Sequence, residues 1–139
     1  MEIDTPGHTA AIADSHPEFI ACANAAPWAT FANEPPSGQL RLAAPSVHNF
    51  TSKLFKSILA SLPGRYFSTG GDEINANCYA QDNETQAELS SQGKTFEEAL
   101  SDFVVNAHTA VKSSGKTPVV WEEMVLAHNV TLSNDTVVM

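Results

Sequence analysis

From Ser46 onward, apolar residues recur at three- and four-residue steps: Val47, Phe50, Leu54, Phe55, Ile58, Leu59 and Leu62. That spacing lines one face of a 3.6-residue helix, so residues 46–62 are predicted to be an amphipathic helix that Ser46 caps and Pro63-Gly64 ends. The next run, Arg65-Tyr66-Phe67-Ser68-Thr69, is β-prone and stops at Gly70-Gly71. Residues 72–94 read as a polar loop with a short helix near 84–91. Thr95-Phe96-Glu97-Glu98 has the spacing of a capping box and opens a second helix. Its apolar face carries Phe96, Leu100, Phe103, Val104, Ala107 and Val111, and Gly115 ends it. Thr117–Trp121 and Asp135–Met139 read as further short strands, and Glu2-Ile3-Asp4 as the end of another. Residues 9–45 hold Pro17, Pro27, Pro35, Pro36 and Pro45 and read as a long surface excursion with one short helix. Excursions of that length are usually functional.

Strand, helix, strand, helix, strand is the rhythm of a parallel α/β sheet. It fits a small doubly wound fold or a slice of a (β/α)₈ TIM barrel. A whole barrel takes about 250 residues, and both end runs read as incomplete strands. The expectation is therefore the middle of a barrel, with residues 1–139 forming one partial domain. Such a piece, taken alone, is expected to be unstable and nearly inactive, because its sheet has two unpaired edges.

Composition narrows the partners. Of 139 residues, 42% are hydrophobic and 17% charged, enough apolar material for a core. Seven basic against 16 acidic residues leave a net charge of −9, with no Lys/Arg cluster, which argues against a nucleic-acid partner. No apolar run nears the roughly 18–20 residues of a membrane-spanning helix, so no membrane partner is expected. The first residues carry no signal-peptide pattern. Four Asn-x-Thr acceptors, at Asn49, Asn83, Asn129 and Asn134, nonetheless point to a secretory route. Cys22 and Cys78 suit either one disulfide or two buried thiols.

Three short stretches could carry chemistry. The first is Gly70-Gly71-Asp72-Glu73, which places adjacent carboxylates at the C-terminal end of a strand, where barrel enzymes build their active sites. Such neighbours repel, so one can hold a proton while the other stays ionised; an ordinary polar turn is the plainer reading. In Glu2-Ile3-Asp4-Thr5-Pro6-Gly7-His8, Asp4 and His8 could form a hydrogen-bonded pair at the same rim, or be a cap and a surface histidine. In Val119-Val120-Trp121-Glu122-Glu123, the indole offers a flat face to a sugar ring, or a core side chain. A fourth stretch, Ser113-Ser114-Gly115-Lys116-Thr117, only imitates the end of a phosphate loop. Ala110 stands where that motif needs glycine, and the order of helix and strand is reversed.

Taken together, Glu2–Thr9, Gly70–Glu73 and Val119–Glu123 resemble glycoside hydrolase family 20, the β-N-acetylhexosaminidases, and most of all their eukaryotic secreted or lysosomal members. The likeness runs along essentially the whole chain. It implies that these stretches end the third, fourth and fifth barrel strands and that the chain stops at the start of the sixth. It also implies hydrolysis of terminal N-acetylhexosamine residues with retention, the substrate's own acetamido oxygen serving as nucleophile. Glu73 is then the general acid and base, and Asp72 orients the acetamido group and stabilises the charge that develops on it. His8 belongs to a network that tunes Glu73, Trp121 walls the acetamido methyl, and Asp4 and Glu123 support the site. The resemblance pairs Cys22 with Cys78, calls for no metal or organic cofactor, and admits a homodimer of the complete enzyme. Substrates would be chitin oligosaccharides, N-glycans or glycolipids, met outside the cell or in a lysosome or vacuole.

Two other classes compete. A catalytically silent relative would bind N-acetylated sugars only, although it would have no need of the Glu73 acid. A metal-dependent barrel hydrolase would use Asp4, His8 and Asp72, although no clustered His/Cys spacing supports it.

Overall fold

The computed structural model describes residues 1–139. Two 3₁₀ turns, Ala10–Asp14 and Pro17–Phe19, lead into β1 (Ile20–Ala21). Then follow α1 (Trp28–Phe31), β2 (Gln39–Leu40), α2 (Pro45–Leu59) and β3 (Tyr66–Ser68). Next come α3 (Ala76–Gln81), α4 (Asn83–Gln92) and α5 (Phe96–Ser113). The chain finishes with β4 (Thr117–Val120), α6 (Glu123–Leu126) and β5 (Val137–Val138).

The strands β3, β4 and β5 lie side by side in that order, all parallel, with Phe67 opposite Pro118 and Val120 opposite Val138. Glu2 bridges Ser68 on the free side of β3, and Ile3 and Thr5 donate their N–H groups to the carbonyls of Ser68 and Thr69 at 3.1 and 2.9 Å. Four parallel stretches therefore share one rim, where residues 4, 70 and 121 come together. The α/β alternation predicted from the periodicity is present.

The two long helices pack on each other and on this sheet. On α2 the buried side chains are Val47, Thr51, Phe55 and Leu59, a stripe of strict four-residue steps. On α5 the buried face holds Ala99, Leu100, Phe103, Val104, Ala107, His108, Ala110 and Val111. Phe55 meets Phe67 of β3 edge to face at 5.2 Å, and Leu59, Ala107, Ala110 and Val111 close around them. The predicted capping box is made in full: Thr95 accepts from the Glu98 N–H, and Glu98 accepts from that of Thr95.

Several expectations are corrected. Pro45, not Ser46, starts α2; its fixed φ suits the first helical position, and no side-chain cap forms. The helix ends at Leu59 rather than 62. Residues 72–94 hold two helices instead of one: Asn75 caps α3 by accepting from Cys78 N–H, and Asp82 caps α4 by accepting from Thr85 N–H. These caps are Asx side chains at helix starts, a signal present in the sequence. Residues 9–45 are also more ordered than a loop, because β1 and β2 pair antiparallel with Ile20 opposite Leu40. This hairpin is fixed to α3 and α4 by polar ties. Tyr79 Oη donates to the Leu40 carbonyl at 2.7 Å, and Arg41 grips Asp82 through two bonds of 3.1 and 3.0 Å. That guanidinium holds the Asp82 carboxyl below its ordinary range despite burial. No helix is long and apolar enough to cross a membrane.

Candidate active site

The turn after β3 carries the two adjacent carboxylates. Gly70 takes φ 73° and is pressed against Asp4: a Cβ there would stand 1.8 Å from Asp4 Oδ1, so no other residue fits. That contact lets Asp4 Oδ1 accept the Gly71 N–H at 2.6 Å. Two residues on, Glu73 has a left-handed φ of 52°, and its N–H donates to Glu123 Oε2 at 2.6 Å. Asp4, just after the Glu2 bridge to β3, and Glu123, the first residue of α6, thus hold the turn from both sides.

His8, itself at φ 52°, reaches into a ring of carboxylates. Its Nε2 lies 3.5 Å from Glu73 Oε2, 3.9 Å from Asp4 Oδ2 and 4.0 Å from Asp72 Oδ1. Glu73 Oε2 is buried and has no hydrogen-bond partner, so it faces His8 with its accepting capacity unused. Asp4 is only 14% exposed. Burial, and then the neighbouring Asp72 carboxylate, push its pKa up to about 8 against the opposing pull of the Gly71 N–H. Asp4 therefore keeps a proton near neutrality, which relieves the repulsion in the ring.

Asp72 belongs to this ring and also borders a second space. With Trp121, Glu122, Glu123 and Met139 it lines an open hollow of about 340 Å³, within the size of ligand pockets. The Trp121 backbone N–H donates to the Gly70 carbonyl at 3.1 Å, which fixes the indole's base beside the turn. Its Nε1 is buried without a partner. A larger hollow of about 500 Å³ lies elsewhere, between Glu18, Arg41 and α4. It holds none of these residues, and its Arg41 is already paired with Asp82 and Glu84; Asp72, Trp121 and Glu123 line only the smaller one.

All six residues expected at the site, Asp4, His8, Asp72, Glu73, Trp121 and Glu123, thus meet at one rim. Cys22 and Cys78 form a disulfide, Cα atoms 6.0 Å apart, tying the 9–45 segment to α3. Asn49, Asn83, Asn129 and Asn134 are all exposed, although the threonines of the first two acceptors, Thr51 and Thr85, are buried. Asp4, His8 and Asp72 present ligand atoms within 4.8 Å of one another, a set that could hold a cation. The phosphate-loop imitation is structural: Lys116 Nζ donates to the Leu62 carbonyl at 2.6 Å, closing the end of α2.

Sequence reasoning missed two supports. His108 is buried on α5 with Nε2 3.2 Å from Thr69 Oγ1, just before the turn. Burial and, secondarily, Lys112 lower its pKa to about 4, so it is neutral. Gln39 of β2 pairs with the backbone of Asn75, just beyond the turn. A lone Gln in a Pro-rich stretch gives no sequence signal; His108, polar on an apolar helical face, gives a weak one.

Comparison with known proteins converges on one family. The family model "Glycosyl hydrolase family 20, catalytic domain" matches residues 1–139. A beta-hexosaminidase of Arthroderma benhamiae is 36% identical over 135 residues, 95% of this chain and 22% of that protein. Beta-hexosaminidase subunit A1 of Dictyostelium discoideum is 30% identical over 138 residues, 99% of this chain and 25% of that protein. Among solved structures, a GH20 exo-β-N-acetylglucosaminidase from Vibrio harveyi, in complex with N-acetylglucosamine, superposes with a TM-score of 0.76 at 27% identity. That match covers 99% of this chain and 21% of the Vibrio chain. The chain thus spans about a fifth to a quarter of the relatives it matches.

Proposed function

The chain belongs to glycosyl hydrolase family 20, and from that premise we propose that it carries the acid–base machinery of a β-N-acetylhexosaminidase. It would supply the stretch of the (β/α)₈ barrel from the end of the third strand to the start of the sixth. The rest of the sugar pocket would come from the remaining strands. The acetamido oxygen of the substrate attacks the anomeric carbon while the bond to the leaving oxygen breaks, and Glu73 gives its proton to that oxygen. Asp72 accepts a hydrogen bond from the acetamido N–H and balances the positive charge of the resulting oxazolinium. Water then attacks the anomeric carbon as its bond to the acetamido oxygen breaks, Glu73 takes the water's proton, and the sugar leaves with its acetamido group restored and its configuration retained.

One observation carries this reading. Two consecutive carboxylates, both within 4.0 Å of His8, line different hollows: Asp72 the one beside Trp121, and Glu73 a smaller one shared with His8 and Gln39. Such a division is what separate acid–base and charge-balancing roles need. His8 would adjust the proton affinity of Glu73, Trp121 would wall the acetamido group, and Asp4 and Glu123 would hold the turn. Substrates would be glycans ending in N-acetylglucosamine or N-acetylgalactosamine. The disulfide and the exposed Asn-x-Thr acceptors favour an extracellular, lysosomal or vacuolar location. In the full-length polypeptide that carries these residues, Glu73→Gln should remove about 10²–10⁴ of kcat on an aryl N-acetyl-β-glucosaminide. Binding of N-acetylglucosamine should survive. Turnover retained by this variant would overturn the assignment, and a wild type that binds the sugar without turnover would favour a silent lectin-like relative.

A further inference from the structure

Alternate residues of the turn, 71, 73 and 75, each lend a backbone N–H to a side chain from another part of the chain. Gly71 donates to Asp4 and Glu73 to Glu123, while the Asn75 N–H donates to Gln39 Oε1 at 2.9 Å. Gln39 also returns a bond, its Nε2 donating to the Asn75 carbonyl at 3.1 Å. The carboxamide therefore docks on residue 75 as a neighbouring strand would. It is 3% exposed and uses both its donor and its acceptor, as a buried amide must. Glu73, which bears the second tie and lies between the first and third, holds a left-handed backbone that a non-glycine residue keeps only when its surroundings impose it.

The arm that presents Gln39 is rigid. Its neighbour Leu40 donates its N–H to the Pro6 carbonyl at 2.9 Å and accepts from Tyr79 Oη. Arg41 is locked to Asp82, and Cys22, next to β1, is bonded to Cys78. The same hairpin reaches the acid itself, since Gln39, Gly38 and Pro36 share a small hollow with His8 and Glu73. We infer that Gln39 is a positioning residue for Glu73: by pairing with the backbone of Asn75 it holds the turn that sets the Glu73 carboxyl against His8. This rests on the reading of Glu73 as the acid–base group. No carboxylate could take this place, because it would face the Asn75 carbonyl with no proton to offer.

The test uses the full-length polypeptide and an aryl N-acetyl-β-glucosaminide, comparing wild type, Gln39→Glu, Gln39→Met and Glu73→Gln. Both Gln39 variants keep the side chain's volume, and either decides if the other does not fold. The expected result is a fall in kcat of about ten- to a hundredfold with KM unchanged within twofold. The alkaline limb of kcat against pH should also move, since the Glu73 carboxyl shifts relative to His8. Wild-type kcat with an unmoved limb in a folded variant would overturn the inference, whatever its melting temperature. So would a change in KM alone, or a loss of kcat without movement of the limb. A wild type without turnover defeats the functional reading instead. An active wild type with a dead Glu73→Gln and unaffected Gln39 variants defeats this inference only.

Discussion

The body of the molecule and its rim are held by different physics. In the body, α2 and α5 lie on β3 and β4 through apolar contact, Phe55 against Phe67 being the centre. At the rim, Ile20, Ala21 and Leu40 of the hairpin also join an apolar cluster with Tyr79 and Phe103, but segments of two to four residues are further fixed by side chains bonding to backbone, by Arg41 on Asp82 and by the disulfide. Apolar packing tolerates exchange of like for like, whereas each rim tie needs one donor and one acceptor in one geometry. The body therefore sets stability, and the rim sets where the carboxylates point.

The contrast is sharpest under mutation. Phe55→Ala should cost about 3–5 kcal/mol, read as a lowered urea midpoint, and leave kcat per folded molecule unchanged. Replacing Cys22 and Cys78 by Ser should cost about 4 kcal/mol on the chain-entropy account for residues 56 apart. Because that bond anchors the rim, kcat should fall with stability; kcat preserved there would break the comparison. Asp72→Asn should do the opposite of Phe55→Ala, removing roughly 10²–10³ of kcat at an unchanged midpoint.

A smaller effect appears against pH. His108 has a folded pKa near 4 against 6.5 unfolded, so the stability it allows is full above pH 6.5 and is lost as pH falls toward 4. Asp4, raised to about 8 from 3.8, acts with the opposite sign: its contribution is full below pH 3.8 and is lost as pH rises through 8. The two should nearly cancel between pH 4 and 6.5, after which stability falls. His108→Gln should expose the Asp4 slope across that window, roughly 1.4 kcal/mol per pH unit, as measured by urea midpoints at each pH. The smallest effect should be that of a chelator: activity unchanged after EDTA dialysis, because Asp4 is already committed to the Gly71 N–H and proton transfer by Glu73 needs no metal. A loss restored by a divalent cation would revive the metal reading.

The same contrast decides what was legible in the sequence. The four-residue steps of α2 and the capping box of α5 announce themselves because apolar burial and helix caps repeat with the helical period. The turn carboxylates were found because two glycines follow a β-prone run, and Gly70 has a reason, its contact with Asp4. The hairpin of Ile20–Ala21 with Gln39–Leu40 left no trace, since two-residue strands have no period to read. The pairing of Gln39 with the Asn75 backbone is likewise invisible, because a side chain bonding to backbone constrains neither residue's neighbours in a recognisable way. Thr51 breaks the apolar stripe of α2 yet is fully buried with an unpartnered hydroxyl, and nothing in the structure explains it.

The ties on the turn also order events in time. Gly71 waits for Asp4, 67 residues earlier, and Asn75 for Gln39, 36 residues earlier, but Glu73 waits for Glu123, 50 residues later. As the chain leaves the ribosome, two of the three partners have already emerged when the turn appears. The last arrives only after α5 and β4 have been made. The geometry of the turn thus matures only after α5 and β4 have been made, and a nascent chain released before residue 123 would carry both carboxylates without the tie from Glu123 to the Glu73 N–H.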